Sequence, residues 1–247
     1  EAPYAYKDGA TGRLTGEAPA IARVVLKRMN VRRVEGVLTE FGALIPGLQA
    51  GRFDLIAAGM YITTPRCAQI AFSNPTYSIG EAFIVEAGNP LGLHSYEDIR
   101  ARSEATLGVV SGAIERQYAR AVGIPDDRIM TFPDAPSAMA GVRASRVSAF
   151  AATELTVESL LNKDREGLER ADPFEDPVID GQRVRGYGAF GFRKDDAMLV
   201  AEFNRQLSAL IGTAEHLTLV EPFGFGKPQL PGKVTAGELC GSRSQSP

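Results

Sequence analysis

Apolar residues recur along the chain at two spacings, one typical of helices and the other of strands. Residues 18–29 repeat apolar side chains at helical spacing, whereas residues 34–38 form a short β-branched run. We predict further helices over 41–50, 114–122, 137–144, 154–161 and 195–211, and further strands over 55–59, 68–73, 82–85, 107–110, 129–132, 147–151 and 187–192. Strands that alternate with helices predict an α/β fold with parallel sheets and right-handed crossovers.

The pattern starts again after Gly88-Asn89-Pro90, which predicts two α/β lobes. We expect lobe 1 to comprise residues 1–86 and 190–247 and lobe 2 to comprise residues 87–189, with hinge strands near 84–90 and 184–192. The cleft between two such lobes is the expected ligand site. The tail from Gly226 is rich in glycine, proline and serine and is expected to be loosely held.

Composition and charge exclude several classes of function. The chain is 44% hydrophobic and 23% charged with a net charge of -3, which is typical of a soluble globular protein without a nucleic-acid footprint. No apolar run approaches the ~20 residues that a membrane-spanning helix needs. With His94 and His216 as the only histidines and no CxxC motif, we expect no zinc site, no histidine-dependent triad and no cofactor.

Candidate binding chemistry follows the strand at 55–59. This strand leads into a loop that carries Tyr61, Thr63 and Arg66. In open α/β sheets ligands bind outside the carboxyl ends of strands, and the planar fork of an arginine suits a carboxylate. Arg66 could instead pair with a local acid, and Thr63 could cap the following segment.

Two cysteines, Cys67 and Cys240, lie far apart in the sequence. They could be a pair of buried reduced thiols, which is common in cytosolic proteins. They could equally form a long-range disulfide, which would connect the C-terminal tail to the first half and indicate an oxidising compartment. The residues alone leave both interpretations open.

Four motifs carry a resemblance to a known family. They are Glu1-Ala2-Pro3-Tyr4, Gly47-Leu48-Gln49-Ala50-Gly51-Arg52-Phe53-Asp54, Thr64-Pro65-Arg66 and Glu221-Pro222-Phe223-Gly224-Phe225. With them the chain resembles the bacterial extracellular solute-binding proteins of the polar amino acid type, family 3, which deliver ligands to ABC importers. The resemblance implies the two-lobed type II periplasmic-binding-protein fold, in which each lobe is a sheet flanked by helices.

Within that family the chain is most similar to ectoine- and hydroxyectoine-binding proteins. The shared stretches are Phe41-Gly42-Ala43-Leu44-Ile45-Pro46-Gly47, Gly88-Asn89-Pro90-Leu91-Gly92-Leu93, Arg66-Cys67-Ala68 and Leu239-Cys240. The ligand-binding residues that the resemblance implies are Glu1, Tyr4, Phe41, Gly59, Tyr61, Thr63, Arg66, Gly112, Ile114 and Thr153. Together with the resemblance we expect a disulfide between Cys67 and Cys240.

The resemblance also implies roles for individual residues. Arg66 would take the carboxylate of the ligand, an aromatic box of Tyr4, Phe41 and Tyr61 would surround its cationic ring, and Glu1 would complement the positive charge. Two positions depart from the family. Ile114 stands where a threonine is usual, so an anion would be held by backbone N–H groups at that helix start. Thr153 stands where binders of free amino acids usually have an aspartate.

These expectations describe a binding protein without catalytic activity, which captures ectoine or hydroxyectoine by lobe closure and delivers it to a membrane permease. One alternative ligand is a polar amino acid or related zwitterion. Another alternative is a periplasmic cyclohexadienyl-dehydratase-like enzyme, for which Glu1 and Glu115 are the only candidate acids, although Glu115 is expected to face solvent at a helix start. A third is the ligand-sensing ectodomain of a receptor.

The expected setting follows from the same resemblance. We expect a monomer in the periplasm or outside the cell, with a small zwitterionic ligand and an ABC permease as its partners and no nucleic acid. An additional lipid or membrane anchor stays open.

Overall fold

The computed structural model describes residues 1–241, and contacts within the chain divide it into two units. Unit 1 comprises Glu1–Ala2, Glu40–Gly42 and Ile79–Arg185, and unit 2 comprises Pro3–Thr39, Ala43–Ser78 and the chain from Gly186 onward. Residues 79–86, which the sequence analysis assigned to lobe 1, therefore cluster with the 87–185 region. The physical reason is that residues 81–86 form a strand inside the sheet of that unit.

Both units contain helices and strands, as an α/β fold requires. The strands, in chain order, are β1 (Tyr6–Lys7), β2 (Leu14–Thr15), β3 (Ile56–Tyr61), β4 (Ala71–Phe72), β5 (Tyr77–Ile79), β6 (Glu81–Glu86), β7 (Leu107–Val110), β8 (Ile129–Phe132), β9 (Ala149–Thr153), β10 (Leu168–Arg170), β11 (Val178–Ile179), β12 (Gln182–Arg183) and β13 (Gly186–Phe192). The α-helices are α1 (Glu17–Arg28), α2 (Leu44–Gln49), α3 (Thr64–Cys67), α4 (Tyr96–Ala101), α5 (Glu115–Val122), α6 (Ala135–Arg143), α7 (Glu154–Lys163), α8 (Ala197–Ser208), α9 (Ala214–Val220) and α10 (Ala236–Leu239).

Unit 1 is built on a five-stranded sheet in the order β10-β6-β9-β7-β8. Strands β8, β7 and β9 are parallel, as the alternation of strands and helices predicts, whereas β6 and β10 are antiparallel additions. Helices α6 and α7 cover the sheet. The core between these helices and the sheet contains Phe132, Met139 and Phe150. The carboxyl ends of the three parallel strands therefore share one edge of this sheet.

Unit 2 is built on a four-stranded sheet in which β13 pairs with β3, β4 and β5, and the pairings of β13 with β3 and β4 are antiparallel. Tyr61 at the end of β3 lies opposite Gly188 of β13. Helix α1 packs against β3 through an apolar face on which Ile21 and Val25 are fully buried. Burying each such side chain contributes about 1.5–3 kcal/mol, so this face holds the helix on the sheet.

Four sequence-based predictions in unit 2 were wrong. Residues 34–38 have no regular secondary structure, and their apolar side chains are exposed. Residues 68–73 contain only the two-residue strand β4. The parallel sheet predicted here is antiparallel, because the late strand β13 enters beside β3. Within residues 226–241 the tail is held in place, because α10 has a capping box and is followed by a disulfide-bonded cysteine, whereas residues 242–247 of the same prediction lie outside the described part of the chain.

Candidate functional site

An aromatic cluster of unit 2 contains two of the predicted ligand rings. Tyr4 and Tyr61 are both buried, and each contacts the ring of Tyr77, with centroid distances of 5.2 and 6.3 Å. Phe225 packs against Tyr4 and Tyr77 at 5.5 and 5.2 Å. Tyr77 and Phe225 were not predicted as members of this site. Phe225 nevertheless ends one of the family motifs, so that motif was the available signal.

Gly59 of β3 allows these rings to approach the backbone. It has a φ of +65°, and a Cβ atom there would lie 2.6 Å from the ring of Tyr4 and 2.8 Å from the hydroxyl of Tyr77. The hydroxyl of Tyr77 donates a hydrogen bond of 2.6 Å to the carbonyl oxygen of Gly59. A side chain at this position would therefore displace the rings, which explains why glycine stands here.

Arg66 lies in the short helix α3, directly after β3. Thr63 is the N-cap of this helix, and its hydroxyl accepts a hydrogen bond from the backbone N–H of Arg66. The side chain of Arg66 is only 6% exposed, and its Nη1 donates to the carbonyl oxygen of Tyr61 over 2.8 Å. This bond holds the guanidinium at the end of β3, against the backbone of Tyr61. The capping interpretation of Thr63 is thus correct, and its ligand role stays a prediction.

A disulfide joins Cys67, the last residue of α3, to Cys240, which follows α10. Their Cα atoms are 5.7 Å apart. The backbone N–H of Ala236 at the start of α10 also donates to the side-chain oxygen of Asn74. The expected long-range disulfide is therefore confirmed, and it connects the C-terminal segment to the helix that carries Arg66.

The predicted residues of unit 1 lie near the carboxyl ends of β7 and β9. Thr153 ends β9 and caps α7, and its hydroxyl donates to the hydroxyl of Thr156 over 3.1 Å. Thr156 in turn donates to Oε1 of Glu1 over 2.7 Å. The carboxylate of Glu1 is therefore linked through Thr156 to Thr153, the position at which amino-acid binders usually have an aspartate.

The remaining ligand-binding residues that were predicted in unit 1 are Phe41, Gly112 and Ile114. Phe41 begins a 3₁₀ turn whose next residue, Gly42, packs against the loop after β7. Gly112 in that loop has a φ of +76°, and a Cβ atom there would lie 2.8 Å from the Cα atom of Gly42. Ile114 is the buried N-cap residue of α5 and offers no side-chain cap, so polar contacts at this helix start come from the backbone.

Sequence reasoning missed a group of buried acids in unit 1. Glu81 is 3% exposed and Glu115 is 5% exposed, so the expectation that Glu115 faces solvent was wrong. Burial raises the pKa of Glu81 well above its usual value, and the neighbouring carboxylates of Glu115, Asp176 and Glu1 raise it further. The position of Glu81, between Gly80 and an apolar strand, was the only available signal.

Residues 1–241 offer neither a metal site nor a membrane-spanning helix. In this part of the chain no group of three or more histidine, cysteine, aspartate or glutamate side chains is arranged to hold a metal ion. The helices described there are all too short or too polar to cross a membrane.

Comparisons with known proteins identify the family of this chain. The profile of the bacterial extracellular solute-binding proteins, family 3, matches residues 1–226. A probable amino-acid ABC transporter periplasmic-binding protein of Sinorhizobium fredii is 38% identical over 245 residues, which are 97% of this chain and 80% of the relative.

Solved structures show the same fold. The structure of EhuB in complex with hydroxyectoine is 35% identical with a TM-score of 0.86, and the alignment covers 97% of this chain and 91% of the other. An ancestral amino acid-binding protein, described as a precursor of cyclohexadienyl dehydratase, is 25% identical with a TM-score of 0.76 and 90% coverage of both chains. These likenesses confirm the predicted type II periplasmic-binding-protein fold.

Proposed function

Because the chain belongs to the bacterial extracellular solute-binding proteins, family 3, we propose that it captures ectoine or hydroxyectoine for an ABC importer. The family assigns the coarser role, that of the solute-binding component of a polar amino acid type importer. The ligand itself is our inference. It is supported by one observation above all, the buried Arg66, whose guanidinium is hydrogen-bonded to the backbone carbonyl of Tyr61, a member of the aromatic cluster of unit 2.

The chemistry of ectoine fits this pair of features. Ectoine is a cyclic amidinium that carries a carboxylate, so it needs an anion-binding group and a surface that attracts a delocalised cation. Arg66 supplies the first, since its planar fork can donate two hydrogen bonds to a carboxylate. The faces of Tyr4 and Tyr61 supply the second, at about 0.5–2 kcal/mol for each cation–π contact. The hydroxyectoine complex of the related EhuB supports the same ligand class.

The remaining predicted contacts are proposed as secondary ones. We assign Phe41 to the aromatic box, Glu1 to the positive end of the ligand, and the backbone at Gly112 and Ile114 to additional polar contacts. Capture by lobe closure is the mode of binding expected for periplasmic binding proteins. We also propose that the protein is periplasmic or extracellular and that it is a monomer. Gel filtration of the purified protein tests the monomeric state.

Ligand-dependent thermal stability tests the assignment. A ligand in 100-fold excess over its Kd should stabilise the protein by about 2.7 kcal/mol. We expect an increase in melting temperature with ectoine and hydroxyectoine, and none of comparable size with glycine betaine, proline, glutamine or arginine. An increase in melting temperature with an amino acid alone would contradict the ectoine assignment. It would favour an amino-acid ligand, the alternative against which Thr153 argues.

Substitution of Arg66 tests the carboxylate role. Arg66→Ala should lower the affinity for ectoine at least 100-fold, because a charge-assisted bidentate contact is lost. Arg193→Ala is the matched control, since Arg193 in unit 2 donates instead to the carbonyl of Phe53 and to Asp54. Unchanged affinity in Arg66→Ala, with a normal unfolding transition, would exclude the proposed role.

A dehydratase is the second candidate function. Its support is the raised pKa of the buried Glu81, which would suit a general acid, and the likeness to the precursor of cyclohexadienyl dehydratase. Incubation with a hydroxylated cyclohexadienyl carboxylic acid should leave that compound unchanged if the chain is only a binding protein. Loss of water together with carbon dioxide from it, detected by mass spectrometry and absent in Glu81→Gln, would establish the enzyme.

A further inference from the structure

Glu81 lies at the edge of the unit 1 sheet where α/β folds bind their ligands. It is the first residue of β6, and its register partner is Thr153, the last residue of β9. Strand β9 is parallel to β7, so this register places Glu81 at the carboxyl ends of the parallel strands. No residue of the four family motifs lies at this position, and the family resemblance gave it no role.

The surroundings of Glu81 are strongly acidic. Glu115 faces it from the start of α5, Glu1 from the start of the chain, and Asp176 from the segment after β10. Oδ1 of Asp176 accepts a hydrogen bond of 2.7 Å from the backbone N–H of Glu81, which fixes the carboxylate of Asp176 in place. Among the groups that set the pKa of Glu81 in the described chain, none is a lysine or an arginine.

The polar atoms of this group are also poorly satisfied. Neither carboxylate oxygen of Glu81 has a hydrogen bond of standard geometry within residues 1–241, and the same holds for the hydroxyl of the fully buried Tyr96. The Tyr96 hydroxyl lies near enough to Glu81 to lower its pKa, but this is the smallest of the effects on that carboxyl group. The ring of Tyr118 packs edge-on against the ring of Tyr96.

Buried acceptors without donors destabilise a fold unless a bound group satisfies them. We propose that Glu81 receives a positively charged group of the ligand, an amidinium, guanidinium or ammonium, and that this group displaces a proton which the carboxyl group holds in the free protein. The inference rests on the proposed function, because it names the residue that would bind the positive end of the solute proposed there. Glu115, Asp176 and Glu1 act with Glu81 by holding a negative potential there.

Proton release gives this role a measurable signature. In the free protein Glu81 stays protonated well above the usual pKa of a glutamate, because it is desolvated and surrounded by carboxylates. A cationic group that enters next to it favours the ionised form, and the proton leaves to solvent. The affinity should therefore rise about tenfold per pH unit as long as Glu81 is protonated before binding.

Isothermal titration calorimetry with ectoine and with L-arginine, each between pH 5 and pH 8, tests the proposal. We expect at least a tenfold increase in affinity for the binding probe over this range and release of about one proton per ligand, measured in two buffers of different ionisation enthalpy. Glu81→Gln keeps the size of the side chain and cannot titrate, so it should abolish both effects. Glu17→Gln removes a buried glutamate of unit 2 and should leave both unchanged.

The outcomes separate this inference from the proposed ligand. Ectoine binding with an affinity that changes less than twofold from pH 5 to pH 8 would overturn the inference and leave the proposed function standing. Arginine binding with proton release would support the inference and overturn the ectoine assignment. If Glu81→Gln does not fold, the proton count of the unsubstituted protein still decides. Failure of both probes to bind at every pH would overturn both proposals.

Discussion

Glu17 shows how strongly a single buried carboxyl group can couple this fold to pH. It begins α1 but is only 1% exposed, and desolvation raises its pKa to about 8, against a smaller opposing effect of the hydrogen bond with Thr76. The usual reason for an acid in the first turn of a helix is attraction of its charge to the helix dipole. Here burial outweighs that attraction, so the group is neutral at pH 7.

The raised pKa predicts that stability decreases as the pH rises. Below the ordinary pKa of 4.5 both states are protonated; above it the unfolded carboxyl ionises while the folded one stays neutral until about 8. Through Glu17 alone, unfolding should therefore become easier by roughly 1.4 kcal/mol per pH unit in this window. Glu17→Gln should remove this contribution, leave that of the buried Glu81, and be roughly 3–5 kcal/mol more stable than the unsubstituted protein at pH 8, but not at pH 4.5. Urea unfolding at both pH values measures the difference, and Glu104→Gln, at an exposed position, serves as the control.

Gly59 allows a second prediction with a matched control in the same unit. Gly59→Ala must accept both a left-handed backbone and a Cβ atom against Tyr4 and Tyr77, so we expect a loss of roughly 2–4 kcal/mol. Gly51 has nearly the same φ, +70°, but nothing within 4 Å of its added Cβ atom. Gly51→Ala should therefore cost only about 1 kcal/mol. Equal losses in urea unfolding would contradict the close packing of Tyr4 and Tyr77 on Gly59.

At the scale of elements, the disulfide holds α3 and α10 together across 173 residues of sequence. Closing so long a loop restricts the unfolded chain, so the double variant Cys67→Ser/Cys240→Ser should lose roughly 2–5 kcal/mol of stability. Calorimetry with and without reductant measures this loss. The reductant should lower the melting temperature of the unsubstituted protein to that of the variant and leave the variant unchanged. A melting temperature that does not respond to reductant would contradict the prediction.

Elements with both a strong pattern and a local partner could be predicted from the sequence. Helix α1 and strands β7, β8 and β9 follow from their apolar spacing, because that spacing matches the faces they bury. Residues 34–38 have strand-forming side chains but are exposed, since a strand also needs a pairing partner that local pattern cannot supply.

The candidate site was predictable to a different degree in each unit. Arg66 stands out because it follows a strand end within a motif, whereas Glu81 is one acid at the start of an apolar run. Its pKa is raised by burial and by the charges of Glu115 and Asp176, which come from distant segments and meet only in the folded unit. Such a convergence of acids has no local sequence signature.

At the scale of the whole molecule, the two units carry candidate groups of opposite charge. Unit 2 supplies the guanidinium of Arg66 with its tyrosine rings, and unit 1 supplies Glu81 with its acidic neighbours. The guanidinium suits an anionic group and the acidic neighbours of Glu81 suit a cationic one, which supports the proposal of a zwitterionic ligand.

This division of charge predicts which amides a bound ligand protects from hydrogen exchange. If ectoine uses both sets of groups, exchange should slow at 59–67 in unit 2 and also at 81–86 and 110–116 in unit 1, because local opening must then break ligand contacts. In Arg66→Ala the protection should disappear in both units at the same ectoine concentration, whereas Arg193→Ala should retain it. Mass spectrometry of peptides from the two units measures both effects. Protection confined to 59–67 would show that unit 2 binds the ligand alone, and capture by closure would then be excluded.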